Sequence, residues 1–558
     1  MTTVRDVADR FIAEHAVLDP VHATMEGVLG HDAEMTDYSP AGVEARTELY
    51  KRTLRAVAGA DVADDDERRG HALMTERLQT LIDRDEAGES LRALRVLASP
   101  AQHVRQVFDL MAHETEQEWE TIAARMEQVP AALAGYREAL AEGAARGVAA
   151  ARRQAEAVAD QAEVWAGLRE AAAFFPHLAA SATVGESLAR RLDRAASAAT
   201  DSYAALARYL LDEYAPVALT TDAVGRERYQ LATRHYLGAT IDLEETYRWG
   251  WDELHRIEAD MARTADRVQP GATVEQAKHV LETDPARAIE GVDRFRDWMQ
   301  ELMDTTVREL NGRHFDIPEP VQRVEAMIAA PGGAAAMYYT PPAQDFSRPG
   351  RTWYPTMGKT SFPLWGEVSI AYHEGVPGHH LQVAQVRYLG QRLSAYQRST
   401  FVSGHGEGWA LYAERLMDEL GYLDNPDYRL GMLRAQAMRA VRVVVDLGMH
   451  LELAIPDDED FHPGARWTPD LGQAFVDQRS HFSPDFMASE LLRYLGTPGQ
   501  AISYKVGERV WLESRADLQR TLGSRFDLRH FHHEALDFGP LGLDQLRAEL
   551  AAIGPFPG

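Results

Sequence analysis

Cysteine is absent from this chain of 558 residues. Disulfides, thiolate catalysis, iron–sulfur clusters and cysteine-bound zinc are therefore excluded, and any metal ion must be held by His, Asp or Glu side chains. Long apolar runs are also missing, since no segment approaches the roughly 18 uninterrupted apolar residues of a membrane-spanning helix. The first residues, MTTVRDVADRF, lack the apolar stretch of a signal peptide. These absences predict a cytoplasmic protein without a membrane partner.

Positive charge is scarce relative to negative charge. The sequence has 58 Lys and Arg residues against 86 Asp and Glu residues, and the formal net charge is −28. Because nucleic acids and anionic membranes are bound through basic patches, this balance argues against both as partners. Hydrophobic residues make up 45% of the chain and charged residues 26%, as in ordinary soluble proteins. The composition leaves the oligomeric state open.

The amino-acid composition and apolar spacing along the chain predict a mainly α protein. Up to about residue 315, good helix formers dominate, and apolar residues recur at three- and four-residue spacing. A stretch rich in Pro, Gly, Val and aromatic residues follows, which predicts a few short strands. Helical patterns return near Leu364 and continue to the end. We expect an N-terminal helical region (1–315) and a catalytic region (316–558), or one continuous body.

The most informative segment is residues 371–382, AYHEGVPGHHLQ. A His-Glu pair followed by another His is typical of a zinc-hydrolase helix, in which two His ligands lie four residues apart and the Glu faces the metal-bound water. Here His379 lies six residues after His373, which in an unbroken helix is a rotation of about 240°. His380 returns to the same face but lies about 10 Å further along the axis.

Pro377 and Gly378 are residues that interrupt a helix, and they lie between the two histidines. Pro377 cannot donate to the carbonyl of His373 and crowds it, while Gly378 permits backbone angles closed to other residues. A bend at this point would return His379 to the side of His373. We therefore expect His373 and His379 as metal ligands, with His380 as the alternative second ligand and Glu374 as the general base.

A third ligand is expected from residues 404–414, GHGEGWALYAE. This segment has a glycine-rich start followed by a clear helix, and Glu407 lies in its first turn. Two His and one Glu leave an open coordination position for water, as catalytic zinc requires. His373, His379 and Glu407 therefore predict one catalytic Zn²⁺ per chain. Glu414 is either a buried partner or part of a solvated face.

These motifs resemble known families. GEGWALYAE is similar to the segment of the aminopeptidase N family that carries the third zinc ligand, and Gly378-His379 is similar to the Gly-His of the oligopeptidase and angiotensin-converting-enzyme families. The string His-Glu-x-x-Pro-Gly-His-His-x-Gln resembles the hallmark of a bacterial family, domain of unknown function 885. The resemblance extends over nearly the whole chain. It implies a zincin-like, largely helical fold with a gluzincin-type metallopeptidase site.

Groups that bind substrate and stabilise the oxyanion are expected in residues 490–505, ELLRYLGTPGQAISYK. Arg493 and Lys505 could bind a substrate carboxylate, and Tyr504 or Tyr494 could donate to the oxyanion; core packing is the alternative for both tyrosines. The strand-like residues 351–357, which include Tyr354, are expected to form one wall of the cleft. An extended substrate could pair its backbone with this strand.

The sequence as a whole predicts helices around a deep cleft, with a small sheet edge beside the zinc site. The expected activity is zinc-dependent hydrolysis of amide bonds in small peptides. One alternative keeps the zinc site but acts on non-peptide amides or esters such as N-acyl amino acids. The other alternative is a non-catalytic helical binding protein with a vestigial site. The intact set of His373, Glu374, His379 and Glu407 argues against the vestigial site.

Overall fold

The computed structural model describes residues 2–329 and 337–556, and the fold is mainly α. The N-terminal half contains α1 (Val4–Leu18), α2 (Pro20–Glu26), α3 (Pro40–Ala58), α4 (Asp65–Glu86), α5 (Pro100–Gln106), α6 (Glu116–Met126), α7 (Val129–Ala145), α8 (Arg152–Trp165), α9 (Phe174–Ala180), α10 (Glu186–Tyr209), α11 (Gly225–Leu237), α12 (Leu243–Val268), α13 (Val274–Thr283) and α14 (Val292–Leu310). None of the helices in the described ranges combines the length and apolar character needed to cross a membrane.

The second half of the chain is also helical. It contains α15 (Glu367–Glu374), α16 (His379–Tyr388), α17 (Ala395–Ser399), α18 (Ser403–Glu419), α19 (Pro426–Leu451), α20 (Pro469–Arg479), α21 (Pro484–Gly496), α22 (Ser503–Leu522), α23 (Leu528–Asp537) and α24 (Leu543–Ala551). The long helix α19 begins after Asn425, whose side chain accepts a hydrogen bond from the backbone N–H of Asp427, and Pro426 occupies its first turn. Most of α19 is buried, so it forms the centre of this half.

Two small sheets are formed by five short strands within residues 288–363. Their strands are β1 (Ala288–Glu290), β2 (Val324–Ile328), β3 (Tyr338–Thr340), β4 (Gly350–Tyr354) and β5 (Ser361–Pro363). β1 pairs with β5, and β4 lies between β2, which is parallel to it, and β3, which is antiparallel. The strand expected to line the cleft is therefore β4, and both of its edges are already paired. Its backbone is not free to pair with a substrate. Part of the strand-rich stretch, 330–336, lies outside the described residues.

Buried side chains form several hydrophobic clusters. One cluster draws its members from residues 21–218, mainly from α5 to α10, and a larger one draws from residues 229–553 around α12, α18, α19 and α22. A third joins α1, α3 and α4 to Tyr396 and Val402 near α17. The N-terminal helices therefore pack against the chain beside α18. The proposed division at residue 315 stays a prediction.

Helices α18 and α22 approach each other closely through glycine. A side chain on Gly507 would lie 2.0 Å from the carbonyl oxygen of Gly404, and one on Gly408 would lie 2.4 Å from the backbone of Gly507. Larger residues at these positions would hold the helices apart. The glycine-rich start of α18 therefore brings it against α22, which carries Tyr504.

Candidate metal centre

Three helices bring His373, His379 and Glu407 together. His373 lies near the end of α15, His379 begins α16, and Glu407 lies early in α18. One ligand atom from each of these residues lies within 4.8 Å of the other two. They are the one group of three or more such residues found in ranges 2–329 and 337–556 that could hold a metal ion. The structure thus assembles the three residues that the sequence proposes as ligands.

The interruption between α15 and α16 places the second histidine. Helix α15 ends at Glu374, and the N–H of Gly378 donates to the carbonyl of Tyr372 over 3.0 Å. A side chain on Gly378 would lie 1.9 Å from the carbonyl oxygen of His373, so only glycine fits here. The Trp409 indole N–H donates to the carbonyl of Pro377 over 2.9 Å and holds the interruption against α18. This path brings the ring centroids of His373 and His379 to 4.8 Å.

The distances among the three groups suit a metal ion. Glu407 Oε2 lies 3.6 Å from His373 Nε2 and 3.4 Å from His379 Nε2. A tetrahedral zinc ion with bonds of about 2.0–2.1 Å has neighbouring ligand atoms about 3.3–3.4 Å apart. Two imidazoles and one carboxylate are also a ligand set that catalytic zinc uses. The residues present therefore fit a zinc ion.

A buried carboxylate orients His373. The Nδ1–H of His373 donates to Glu414 Oε1 over 2.7 Å, and the Ser369 hydroxyl donates to Glu414 Oε2 over 2.6 Å. Arg439 Nη1 lies 3.2 Å from Glu414 Oε1 and balances its charge. Glu414 is fully buried. These contacts fix the tautomer of His373 so that the lone pair of Nε2 faces His379 and Glu407.

The charges of the site perturb its pKa values strongly. Burial would lower the pKa of His373, but Glu407 and Glu414 outweigh it and raise this pKa to about 9. Burial would raise the pKa of Glu407, but His373 and His379 bring it well below its usual range. Burial raises the pKa of Glu374, Glu407 acts in the same sense, and the two histidines oppose it. Glu374 is thus a desolvated carboxyl beside the three candidate ligands.

The neighbouring histidines His380 and His405 have other roles. His380 is buried, with Nε2 2.7 Å from the carbonyl oxygen of Val321 and Nδ1 3.1 Å from the Tyr339 hydroxyl. It therefore joins α16 to the β2–β4–β3 sheet, while His379 takes the place in the ligand group. His405 Nδ1 accepts the backbone N–H of Leu541 over 2.9 Å. This hydrogen bond joins α18 to the segment just before α24, and it occupies Nδ1 of His405 without involving Glu407.

Tyr504 lies near the candidate ligand Glu407. Burial raises its pKa, and the nearby charge of Glu407 acts in the same sense. The guanidinium of Arg442 lies over its ring at 4.6 Å from the centroid, and that of Arg439 at 5.9 Å. Because stacking on cations restrains an aromatic ring, Tyr504 is held beside the metal centre.

The other candidates from this segment are engaged in internal pairs. Arg442 Nε donates to the Tyr494 hydroxyl over 2.8 Å, and this hydroxyl donates to Glu490 over 2.7 Å. Arg493 also pairs with Glu490, at 2.7 Å. Tyr494 is fully buried. Arg493 and Tyr494 therefore stabilise the junction of α19 with α21, and neither is free to bind a substrate in this conformation.

Lys505 and Tyr354 likewise lie in the interior. Lys505 Nζ donates to Glu253 over 2.7 Å and to Gln436 over 2.8 Å, and it also pairs with Glu508. Lys505 is 1% exposed, so its charge is already neutralised inside the core. Tyr354 is also 1% exposed, and its hydroxyl contacts Thr352 at 3.1 Å. These contacts leave neither side chain facing a cleft.

A cavity of about 580 Å³ opens onto Glu407. It is enclosed largely by N-terminal helices: α1, α2, α3 and α4 contribute to it, together with α11, α17 and the segment that precedes α18. Its aromatic lining residues are Phe11, Tyr50, Tyr236, Tyr396 and Phe401. The sequence does not reveal that the N-terminal helices line the cavity, because these helices contain no recognisable catalytic or metal-binding motif. The cavity could hold a peptide of a few residues next to the candidate ligands.

Two solved structures are similar to this chain in fold. A candidate lipoprotein from Colwellia psychrerythraea is similar with a TM-score of 0.82 at 22% identity, covering 99% of each chain. A candidate lipoprotein of unknown function from Shewanella oneidensis is similar with a TM-score of 0.74 at 16% identity, covering 98% of this chain and 99% of the other. No curated protein matches the sequence. The predicted cytoplasmic location is wrong on this comparison, because bacterial lipoproteins are envelope proteins.

The family comparison covers almost the whole chain. A family model described as "Bacterial protein of unknown function (DUF885)" matches residues 20–550. The matched region includes the three candidate ligands, Glu374 and most of the cavity lining. The chain belongs to the bacterial DUF885 family of proteins of unknown function.

Proposed function

We propose that this protein is a zinc-dependent hydrolase that cleaves amide bonds in small peptides. The observation that carries the proposal is the group of His373, His379 and Glu407, of which Glu407 lines a cavity of about 580 Å³. Two imidazoles and a carboxylate leave a coordination position open for reaction. An enclosed cavity of this size suits a short, flexible substrate.

The reaction assigns separate tasks to the surrounding side chains. His373, His379 and Glu407 would hold a zinc ion, which would supply Lewis acidity towards the scissile carbonyl and the attacking water. Glu374 accepts the proton that this water loses and passes it to the leaving amine nitrogen. Tyr504, restrained beside Glu407, donates a hydrogen bond to the carbonyl oxygen as negative charge develops there. Glu414 keeps His373 in the orientation that a ligand needs.

A peptide-library digest tests this proposal. The zinc-loaded protein is incubated with a mixed library of short peptides, and the products are identified by mass spectrometry. We expect new amine termini that appear with the wild type and are nearly absent with the zinc-loaded Glu374→Gln variant. A panel of N-acyl amino acids and esters is measured in parallel. Hydrolysis of that panel without hydrolysis of any peptide would contradict the peptide assignment.

A further inference from the structure

A smaller cavity lies beside the main one. It has a volume of about 170 Å³. Both cavities are lined by Glu26 and by the consecutive residues 399–401, Ser-Thr-Phe. The two spaces are therefore neighbours separated by a shared wall. We refer to the smaller one as the side pocket.

The side pocket is built by the same segments that supply the candidate ligands. Val383 and Val386 line it, four and seven residues after His379 on α16. That spacing places all three side chains on one face of the helix. The pocket is also lined by Gly406, which immediately precedes Glu407. Glu407 itself lines the main cavity, so the side pocket adjoins, through the shared wall, the cavity that opens onto this candidate ligand.

The walls of the side pocket are mainly apolar. Its hydrophobic lining includes Val383, Val386, Phe401, Val402 and Leu536. Phe401 is 58% exposed, although it is a large aromatic residue beside the site. An apolar cavity of roughly 150 Å³ is large enough to bind benzene. The side pocket thus has room for a single branched or aromatic side chain, which would also cover the exposed ring of Phe401.

Three charged side chains line the side pocket, one acidic and two basic. Glu26 on α2 and Arg387 on α16 both line it with opposite charge. Arg398 also lines it, but its guanidinium donates to the carbonyls of Gly390 and Leu393 over 2.9 Å and 2.6 Å. The Nδ1 atom of His405 is already bonded to Leu541. The pocket therefore selects by size and apolarity more than by charge.

We propose that the side pocket is a specificity pocket that binds one apolar side chain of the substrate, of leucine to phenylalanine size, next to the scissile bond. This inference rests on the proposed function, because it names the class of peptide that the site cleaves. Burial of the extra methylene groups of leucine, relative to alanine, favours binding. A hydrophobic pocket typically discriminates by about 10–200-fold per group gained or lost.

The test uses a peptide series, Ala-Ala-Xaa-Ala-Ala, in which Xaa is Ala, Leu, Phe or Glu. With the zinc-loaded wild type we expect kcat/KM for Leu and Phe to exceed that for Ala and Glu by about 10–100-fold. Val386→Phe fills the pocket and should reduce the Leu-to-Ala ratio to nearly one. Val386→Ala enlarges it and should shift the preference from Leu towards Phe. Val164→Phe, on the partly exposed face of α8, is the matched control and should keep the wild-type ratios.

Measurements of peptide binding distinguish a failure of this inference from a failure of the proposed function. The affinities of the same peptides for the zinc-loaded Glu374→Gln variant are measured by calorimetry, where no turnover is needed. If no peptide is hydrolysed by the wild type but Leu and Phe peptides still bind more tightly than Ala peptides, the proposed function fails and the pocket assignment survives. Equal affinities across the series, or a Leu-to-Ala ratio that Val386→Phe and Val386→Ala leave unchanged, would overturn the pocket assignment.

Discussion

At the scale of single residues, the proposed function gives the two glutamates of the centre different tasks. Glu407 faces both candidate His ligands at 3.4–3.6 Å. Glu374 follows His373 by one residue, so it points about 100° around the helix from that ligand. Its carboxyl is desolvated and close to the ligand group. Glu407 is thus placed to bind the ion and Glu374 to move a proton.

Substitution by glutamine should separate these tasks. Glu374→Gln keeps the size of the side chain but cannot carry the proton, so we expect normal zinc content and a loss of turnover of about 10²–10⁴-fold. Glu407→Gln removes a charged ligand and should lose zinc first. Zinc content and turnover are measured on both purified variants. Loss of zinc from Glu374→Gln with retention by Glu407→Gln would show that the two assignments are reversed.

Glu414 should control metal affinity without touching the metal. Glu414→Gln weakens the hydrogen bond that orients His373 and leaves the Arg439 charge without its partner. Loss of such a partner typically lowers metal affinity by about 10–100-fold. Competition with a zinc chelator measures this affinity. Glu419→Gln, on the exposed face of the same helix, is the control, and equal affinity for the two variants would refute a positioning role for Glu414.

The sequence identifies residues whose role depends on local spacing. His373, His379 and Glu407 stand out because their motifs are compact. Roles that depend on distant partners are harder to predict: Lys505 resembles a free cation in the sequence, yet Glu253 from α12 neutralises it. Tyr494 is similar, since Arg442 of α19 binds its hydroxyl. No local sequence pattern indicates these long-range ion pairs and hydrogen bonds.

At the scale of elements, glycine explains both the helix interruption and the close helix contact. The sequence predicts a bend at Pro377-Gly378, and the structure ends α15 and begins α16 on either side of it. The physical reason at Gly378 is the nearby carbonyl of His373. The glycines at the start of α18 are explained by its close contact with α22. The sequence predicts a strand over residues 351–357, and β4 spans Gly350–Tyr354. Its central place in the sheet depends on partners that spacing alone does not reveal.

Asp446 on α19 should make stability depend on pH. It is fully buried, it accepts hydrogen bonds from the Tyr229 hydroxyl and the Gly499 N–H, and burial raises its pKa from 3.8 to about 7. Because the folded pKa is raised, its favourable contribution is fully present below pH 3.8 and is lost as pH rises through about 7. Wild type should therefore lose stability relative to Asp446→Asn over this range, by a few kcal/mol at most.

Urea unfolding at several pH values measures this effect. The free energies of unfolding of the wild type and Asp446→Asn are compared between about pH 4 and pH 8, which spans the expected change. The difference should grow with pH in favour of the variant and level off above about pH 7. A constant difference, or one that grows as pH falls, would contradict a raised pKa for Asp446.

At the scale of the whole molecule, the N-terminal helices complete the candidate site. Residues of α1 to α4 line the main cavity, although they lie between 292 and 362 residues before His373. Composition predicts that these segments are helices, and the structure agrees. Their position over the metal centre could not be predicted, because it depends on packing between amphipathic faces that have many compatible partners. The main cavity is therefore a property of the complete fold.

The central claim is that this fold holds one zinc ion through His373, His379 and Glu407. The most direct measurement is elemental analysis of the full-length protein after metal removal and reloading with zinc, made beside the His379→Ala and His380→Ala variants. We predict about one zinc per wild-type chain, a nearly zinc-free His379→Ala variant, and full zinc content in His380→Ala. A wild-type protein that takes up no zinc, or a His379→Ala variant that keeps it while His380→Ala loses it, would contradict the account.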